Sequence, residues 1–182
     1  MYLPAYKVAL DSNSLSYLID ALGSFDRPPT GRTVAEKIAL ARCFIYRSEE
    51  TIFCITPTVR AEYSRISSQE RLTDHAHWSL FHLQELTQPS NTADIIFRTN
   101  ALSAHHSDID DCRIVAECEA LDVSVFLTSD RKLRNSMKRL ATKVNVMSGR
   151  QFWEAMAIAP RSKPTIELNP NDPLNDATWW RV

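Results

Sequence analysis

The feature that most constrains this chain is an alternation. Short apolar runs at Lys7 to Leu10, Ile52 to Ile55, Ser124 to Thr128 and Val144 to Met147 are each followed by residues with helical apolar spacing. Runs of this length between turn signals read as buried strands. Strands separated by helices pair in parallel, because the chain must cross back before it lays down the next strand, and a parallel sheet carries helices on both faces. Asp94 to Phe97 reads as a further strand, so the expectation is an α/β protein with a central parallel sheet of four or five strands.

The helical stretches have equally local signatures. Leu15, Leu18, Ile19 and Leu22 lie on one helical face, and after a loop from Gly23 to Gly31 so do Val34, Ile38, Ala41 and Ile45. Thr56 and Pro57 form a helix start, threonine as cap and proline in the first position, ahead of Val59, Glu62, Tyr63 and Ile66. Gln69 to Leu86 reads as helix. Ser107 to Leu121 reads as a helix capped by Ser107 or Asp108, with Asp110 and Asp111 in the first turn, where the helix dipole favours acids. Arg131 to Leu140 turns Leu133, Met137 and Leu140 inward, and Ser148 to Ile158 is the last helix. The 182 residues suit one domain, expected over residues 1–158, with a proline-rich tail over 159–182.

Composition excludes several classes. With 44% hydrophobic and 24% charged residues, the chain has enough apolar material for a core and is not disordered. No apolar run reaches the roughly 18 residues of a spanning helix. The opening MYLPAYKVALDSNS lacks the basic start and apolar middle of a signal peptide, so a cytoplasmic protein without membrane association is expected. Cys43, Cys54, Cys112 and Cys118 show no C-x-x-C spacing and sit in apolar segments, as buried thiols do. Net charge is −1, but Arg131 to Arg150 holds seven cations (Arg131, Lys132, Arg134, Lys138, Arg139, Lys143, Arg150) and no acid, which leaves −8 on the remainder.

Four carboxylates stand where chemistry is expected. Asp11 and Asp130 follow strands directly, and ligands of open parallel sheets bind at that edge; each also suits a helix N-cap. Glu62 interrupts a stripe that should be buried, so it requires a cation such as Arg60 or Arg65, a metal, or a shifted pKa. Asp111 shares the inward face of Val115 and Cys118, with Asp108 one turn back and Asp110 pointing elsewhere. Converging carboxylates repel one another unless a divalent cation sits among them, and oxygen ligands select magnesium or manganese over zinc.

These residues resemble the PIN domain, a family of metal-dependent ribonucleases that includes many bacterial toxins of toxin–antitoxin pairs. The resemblance spans roughly residues 7 to 150. It rests on VALDSNSL with Asp11, TPTVRAEY with Glu62, DDCRIVAECEAL with Asp111 followed by Ile114 and Ala116, and FLTSD with Asp130 and Thr128. The family implies a three-layer α/β/α sandwich and a Mg2+- or Mn2+-dependent endoribonuclease. Asp11, Glu62, Asp111 and Asp130 would be its catalytic metal ligands, and Asn13, Thr128 and Asp108 accessory residues, Asp108 as a fifth acid or as a cap. RNA would be the substrate, an antitoxin protein a partner, and homodimerisation follows from the resemblance alone. The stretch from about 31 to 50 reads as a helical insertion relative to the family, and the tail also exceeds it. Arg131, Lys132 and Arg134 would draw RNA toward the acids through its phosphates, or form an ordinary solvated helix face.

Other readings are weaker. A catalytically silent PIN-like module would bind RNA or protein without cutting. A phosphoryl-accepting receiver-like domain shares the sheet, but Ser12 and Asn13 follow Asp11 where that family pairs acids. His105 and His106 read as a solvated loop, and His75 and His77 likewise. Trp179 and Trp180 read as an anchor of the tail, to its own domain or to a second subunit.

Overall fold

A computed structural model describes residues 6–23, 27–166 and 176–182. The chain forms β1 (Tyr6–Leu10), α1 (Ser12–Leu22), α2 (Val34–Ile45), β2 (Thr51–Ile55), α3 (Pro57–Tyr63), α4 (Gln69–His82), β3 (Gln84–Glu85), α5 (Thr92–Ser103), α6 (Ile109–Ala120), β4 (Val125–Leu127), α7 (Arg131–Met137), β5 (Asn145–Met147) and α8 (Gly149–Met156). The five strands pair in the order β3-β2-β1-β4-β5, every pairing parallel. The chain builds outward from β1 to β3, then returns to β1's other side with β4 and β5. Strand order therefore reverses between β1 and β4, with Leu10 opposite Leu127. At such a switch point the crossovers leave in opposite directions and open a crevice at the strands' carboxyl ends.

The core lies where the alternation puts it. Val8, Ala9, Leu10, Phe53, Cys54, Ile55, Val125, Phe126 and Leu127 are buried on the sheet, and Leu15, Leu18, Ile19 and Leu22 of α1 cover it as their spacing predicts. On one side α1 packs on α2 and α2 on α8; α5 and α6 pack together elsewhere, so helices flank the sheet. Leu133 and Met137 of α7 are fully buried, while Leu140 lies past the helix end and is half-buried. All four cysteines are free and buried. No helix among the described residues is long and apolar enough to cross a membrane.

Two expectations need correction. Asp94 to Phe97 is not a strand but the first half of α5. Asn91 caps it, accepting from Asp94 N–H at 3.4 Å, and Ile95, Thr99 and Leu102 form its buried face while Ile96 and Phe97 point to solvent. A short apolar run fits either structure, and here the helical spacing beyond it decides. The helix read from Gln69 to Leu86 stops at His82, and the chain extends to pair Gln84 and Glu85 with Cys54 and Ile55. Gln and Glu have little strand preference; the open edge of β2 supplies the hydrogen bonds, with Leu86 N–H donating to Ile55 O at 3.0 Å.

The helix of the 31–50 stretch carries part of the core: Leu40, Ala41, Cys43, Phe44 and Ile45 are buried. Of the tail, Trp180 is buried to 2% exposure beside Tyr46, ring centroids 6.1 Å apart, and Arg42 donates to the Trp180 and Arg181 carbonyls at 3.1 and 2.8 Å. The tryptophan thus anchors the tail to its own domain.

Helices α2 and α8 meet closely because Gly149, the first residue of α8, has no side chain. A Cβ there would lie 2.7 Å from Leu40 Cγ and 2.9 Å from Glu36 Oε1, which accepts the Gly149 N–H at 2.6 Å. Gly149→Ala should therefore destabilise the protein by about 1–3 kcal/mol through overpacking, read as a lower urea midpoint at unchanged slope.

Candidate functional site

Asp11 is the first residue past the central strand. Its N–H continues the sheet by donating to Leu127 O at 3.0 Å, and its carboxylate caps α1 by accepting from Ser14 N–H. It is only 5% exposed. Burial raises its pKa, opposed by the Thr128 hydroxyl and the Ser14 N–H that hydrogen-bond it, while the negative charge of Glu36 raises it further. Thr128, fully buried, also accepts from Asp130 N–H at 3.0 Å, so one hydroxyl joins the ends of β1 and β4. The buried hydroxyl of Ser14 has no hydrogen-bond partner among the described residues.

Glu62 comes from the last turn of α3 and is half-buried, as its place in an apolar stripe requires. Neither Arg60 nor Arg65 pairs with it: Arg60 binds Glu85 at 3.1 Å and Arg65 binds Ala61 O at 3.1 Å. Its partner is the hydroxyl of Ser12 at the start of α1. Burial raises its pKa, the Ser12 bond opposes this, and the charges of Asp110, Asp111 and Asp11 raise it further. Asp110 therefore acts on this centre, contrary to the expectation that it points elsewhere.

Asp111 enters from the first turn of α6, where its Oδ2 meets His106 Nε2 at 3.0 Å. Its pKa is raised by burial, lowered by His106, and raised by Asp108 and Asp11. His106 is thus a partner of the site and not a solvated loop residue. His75 is corrected too: it is 2% exposed, between Ser16 Oγ at 2.9 Å and Arg71 O at 2.7 Å. A histidine isolated in sequence gives no sign of what it will face. Asp108 is the α6 cap, its Oδ1 accepting from Asp110 and Asp111 N–H at 3.0 and 3.3 Å.

The remaining expected residues are placed as follows. Asp130 caps α7, accepting from Lys132 N–H at 2.6 Å and Leu133 N–H at 3.1 Å. Asn13 is exposed on the first turn of α1, and Arg131 and Lys132 are exposed on α7. Arg134 is tied down, with Nη1 donating to Thr128 O at 2.6 Å. The fold thus brings Asp11, Glu62 and Asp111 within reach of one another's charge and links Asp130 to them through Thr128. Among the described residues no three metal-ligating side chains are gathered closely enough to hold an ion. The Ser12–Glu62 and His106–Asp111 hydrogen bonds turn two of the acids aside. The donor chemistry nevertheless fits a hard divalent cation: all the carboxylates supply oxygen, burial penalises their charge, and the partnerless Ser14 hydroxyl adjoins Asp11.

Glu117, on α6, was not singled out by sequence. Fully buried, it accepts from Thr58 N–H at 3.1 Å and Thr58 Oγ1 at 2.8 Å, so it caps α3 and fixes the helix of Glu62 against that of Asp111. A glutamate inside the apolar run Ile114 to Cys118 was the available signal.

No family model matches the chain, and no curated protein matches it. Among solved structures, a chain of VapBC2 from Rickettsia felis, crystallised with a DNA fragment from its promoter, is similar. The TM-score is 0.47 and identity 15%, over 77% of this chain and 96% of that one.

Two outcomes follow from this geometry. Because folding raises the pKa of Asp11, Glu62 and Asp111 above the ordinary 3.8 and 4.5, the protonated folded state is favoured. Their contribution to stability is full below those values and is lost as pH rises through the raised ones. Metal-free Glu62→Gln should melt a few degrees above wild type at pH 7, worth roughly 1 kcal/mol at about 2–4 °C per kcal/mol, with the gap closing by pH 4. Glu117→Ala should cost about 2–4 kcal/mol, the range for stripping a partner from buried hydrogen-bonded groups, measured by chemical denaturation.

Proposed function

We propose that this chain is a PIN-family endoribonuclease that hydrolyses RNA phosphodiester bonds with Mg2+ or Mn2+. The observation that carries the reading is the convergence of Asp11, Glu62 and Asp111 from three separate elements, at a sheet switch point, close enough for their charges to raise one another's pKa. Acids so placed cost stability, which is the pattern of a site kept for its chemistry. Asp11, Glu62, Asp111 and Asp130 would hold the ion. When bound, the ion lowers the pKa of a water and offsets charge on the attacked phosphate.

The chain's own residues do the rest. Thr128 and the Ser14 N–H fix the Asp11 carboxylate, Ser12 orients Glu62, and His106 orients Asp111 and holds it ionised. Asp130 reaches the centre through its helix cap beside Thr128, with Asn13 at the rim. Arg131 and Lys132, exposed on α7, raise the local concentration of a polyanion. A place as the toxin of a toxin–antitoxin pair, with an antitoxin partner, rests on the sequence motifs, as do homodimerisation and a cytoplasmic location.

The silent binding module is the second reading, favoured by the hydrogen bonds that already occupy Glu62 and Asp111. Labelled RNA incubated with Mn2+ separates the two. Wild type should cut and stop on chelation. Asp111→Asn should lose about 10²-fold or more in rate, the cost of removing one electrostatic stabiliser. A saturating metal at a hundredfold excess over Kd should also stabilise wild type by about 2.7 kcal/mol, and the variant by less. An Asp111→Asn protein that cuts at the wild-type rate overturns the site, and RNA bound but never cut establishes the silent module.

A further inference from the structure

Beside the acids, at the same edge of the sheet, lies a cleft of about 480 Å3. Arg32 before α2, Arg134 of α7 and Arg150 of α8 line it, together with Ser129 and Tyr17. Ser129 lies between Thr128, whose hydroxyl binds Asp11, and Asp130, so the cleft adjoins the acidic centre directly. Arg134 is fixed by its bond to Thr128 O, which leaves its other N–H groups unused. Arg32 and Arg150 form no ion pair and no hydrogen bond among the described residues. Glu36 and Glu154 also line the cleft, but Glu36 is engaged by Gly149 N–H. Three guanidinium groups from elements far apart in sequence thus face one cavity without a carboxylate partner. The volume is in the range of small-ligand sites, on the scale of a nucleotide.

A guanidinium presents a planar fork of donors that matches phosphate oxygens in pairs, and it stays charged at any physiological pH. We propose that this cleft is a phosphate subsite, in which Arg32 and Arg150, with Arg134, hold a backbone phosphate of the single strand whose neighbouring bond lies at the acids. The inference rests on the nuclease reading and assigns the strand's path: it runs from the acids across Ser129 toward α8. The cations that count are therefore not Arg131 and Lys132, which lie outside the cleft, but residues on either side of it contributed by the 31–50 stretch and the last helix. Tyr17 offers the cleft an aromatic face on which a base can stack.

Fluorescence anisotropy of a 5′-labelled single-stranded RNA, measured in chelator across a salt series, tests this without any cleavage. Arg32→Glu/Arg150→Glu should bind at least about 10-fold more weakly, and the slope of log K against log salt should flatten by about 1.4, near 0.7 for each phosphate contact. Lys138→Glu/Arg139→Glu makes the same charge change on exposed residues outside the cleft and should leave most of the slope in place. Equal losses in the two variants mean a diffuse field and overturn the subsite, as does an unchanged slope in the first. A cleft variant that loses binding of a free nucleoside monophosphate but not of RNA overturns the backbone assignment. If the first variant melts low, Arg32→Gln/Arg150→Gln replaces it. RNA held through the cleft but cut in no metal sinks the nuclease reading and spares the subsite; metal-dependent cutting with unaltered binding in the cleft variant does the reverse.

Discussion

A carboxylate buried at the end of the central strand has to be satisfied by its surroundings, and the site is arranged around that requirement. Asp11 is enclosed because β2 and β4 pair on either side of β1. Its oxygens are met by the N–H of Ser14, which starts α1, and by the hydroxyl of Thr128, which ends β4. Thr128 in turn accepts from Asp130 N–H, and Asp130 caps α7. Strand pairing, two helix starts and the position of two acids are therefore one connected set of hydrogen bonds. Loss of Asp11's partners would leave a buried ionised group uncompensated, which is among the costliest defects a fold can carry.

The protein's acids divide by environment. Glu119 is buried too, but Arg98 binds it at 2.6 and 3.1 Å and Thr142 N–H at 2.6 Å, so its pKa ends below the usual range despite desolvation. Glu85 behaves likewise between Ser79, Tyr63 and Arg60. These acids tie elements together. Asp11, Glu62 and Asp111 are raised, since their hydrogen bonds fall short of offsetting burial and mutual repulsion. The same residue types thus hold the fold in one setting and oppose it in the other. Glu117 belongs with the first group, yet by capping α3 against α6 it also holds the opposed acids together.

Charge along the chain is organised in the same sense. The acids gather at the switch point, while guanidinium groups from three elements line the neighbouring cleft. A polyanion meets a cationic wall before it meets the carboxylates, and its approach depends on that order.

Much of the fold could be read from the sequence, because buried strands and amphipathic helices are local patterns. The runs at Lys7, Ile52, Ser124 and Val144, the caps at Thr56 and Asp108, and the α1 stripe all carried their own signal. Asp94 to Phe97 misled because four residues hold no period, and Gln84–Glu85 was invisible because its pairing comes from the exposed edge of β2. Sequence also marked Asp11, Glu62, Asp111 and Asp130, since an acid at a strand end or in an apolar stripe conflicts with its neighbours. It did not mark His106, Glu117 or the pairing of Glu62 with Ser12, which depend on helices remote in sequence being pressed together. What the sequence determined by itself was the set of elements and the residues at odds with them, because periodicity and capping act within a few residues. Strand order, the enclosure of Asp11 and the meeting of Arg32 with Arg150 were decided only in the tertiary structure, where burial and charge act between segments that the chain does not keep adjacent.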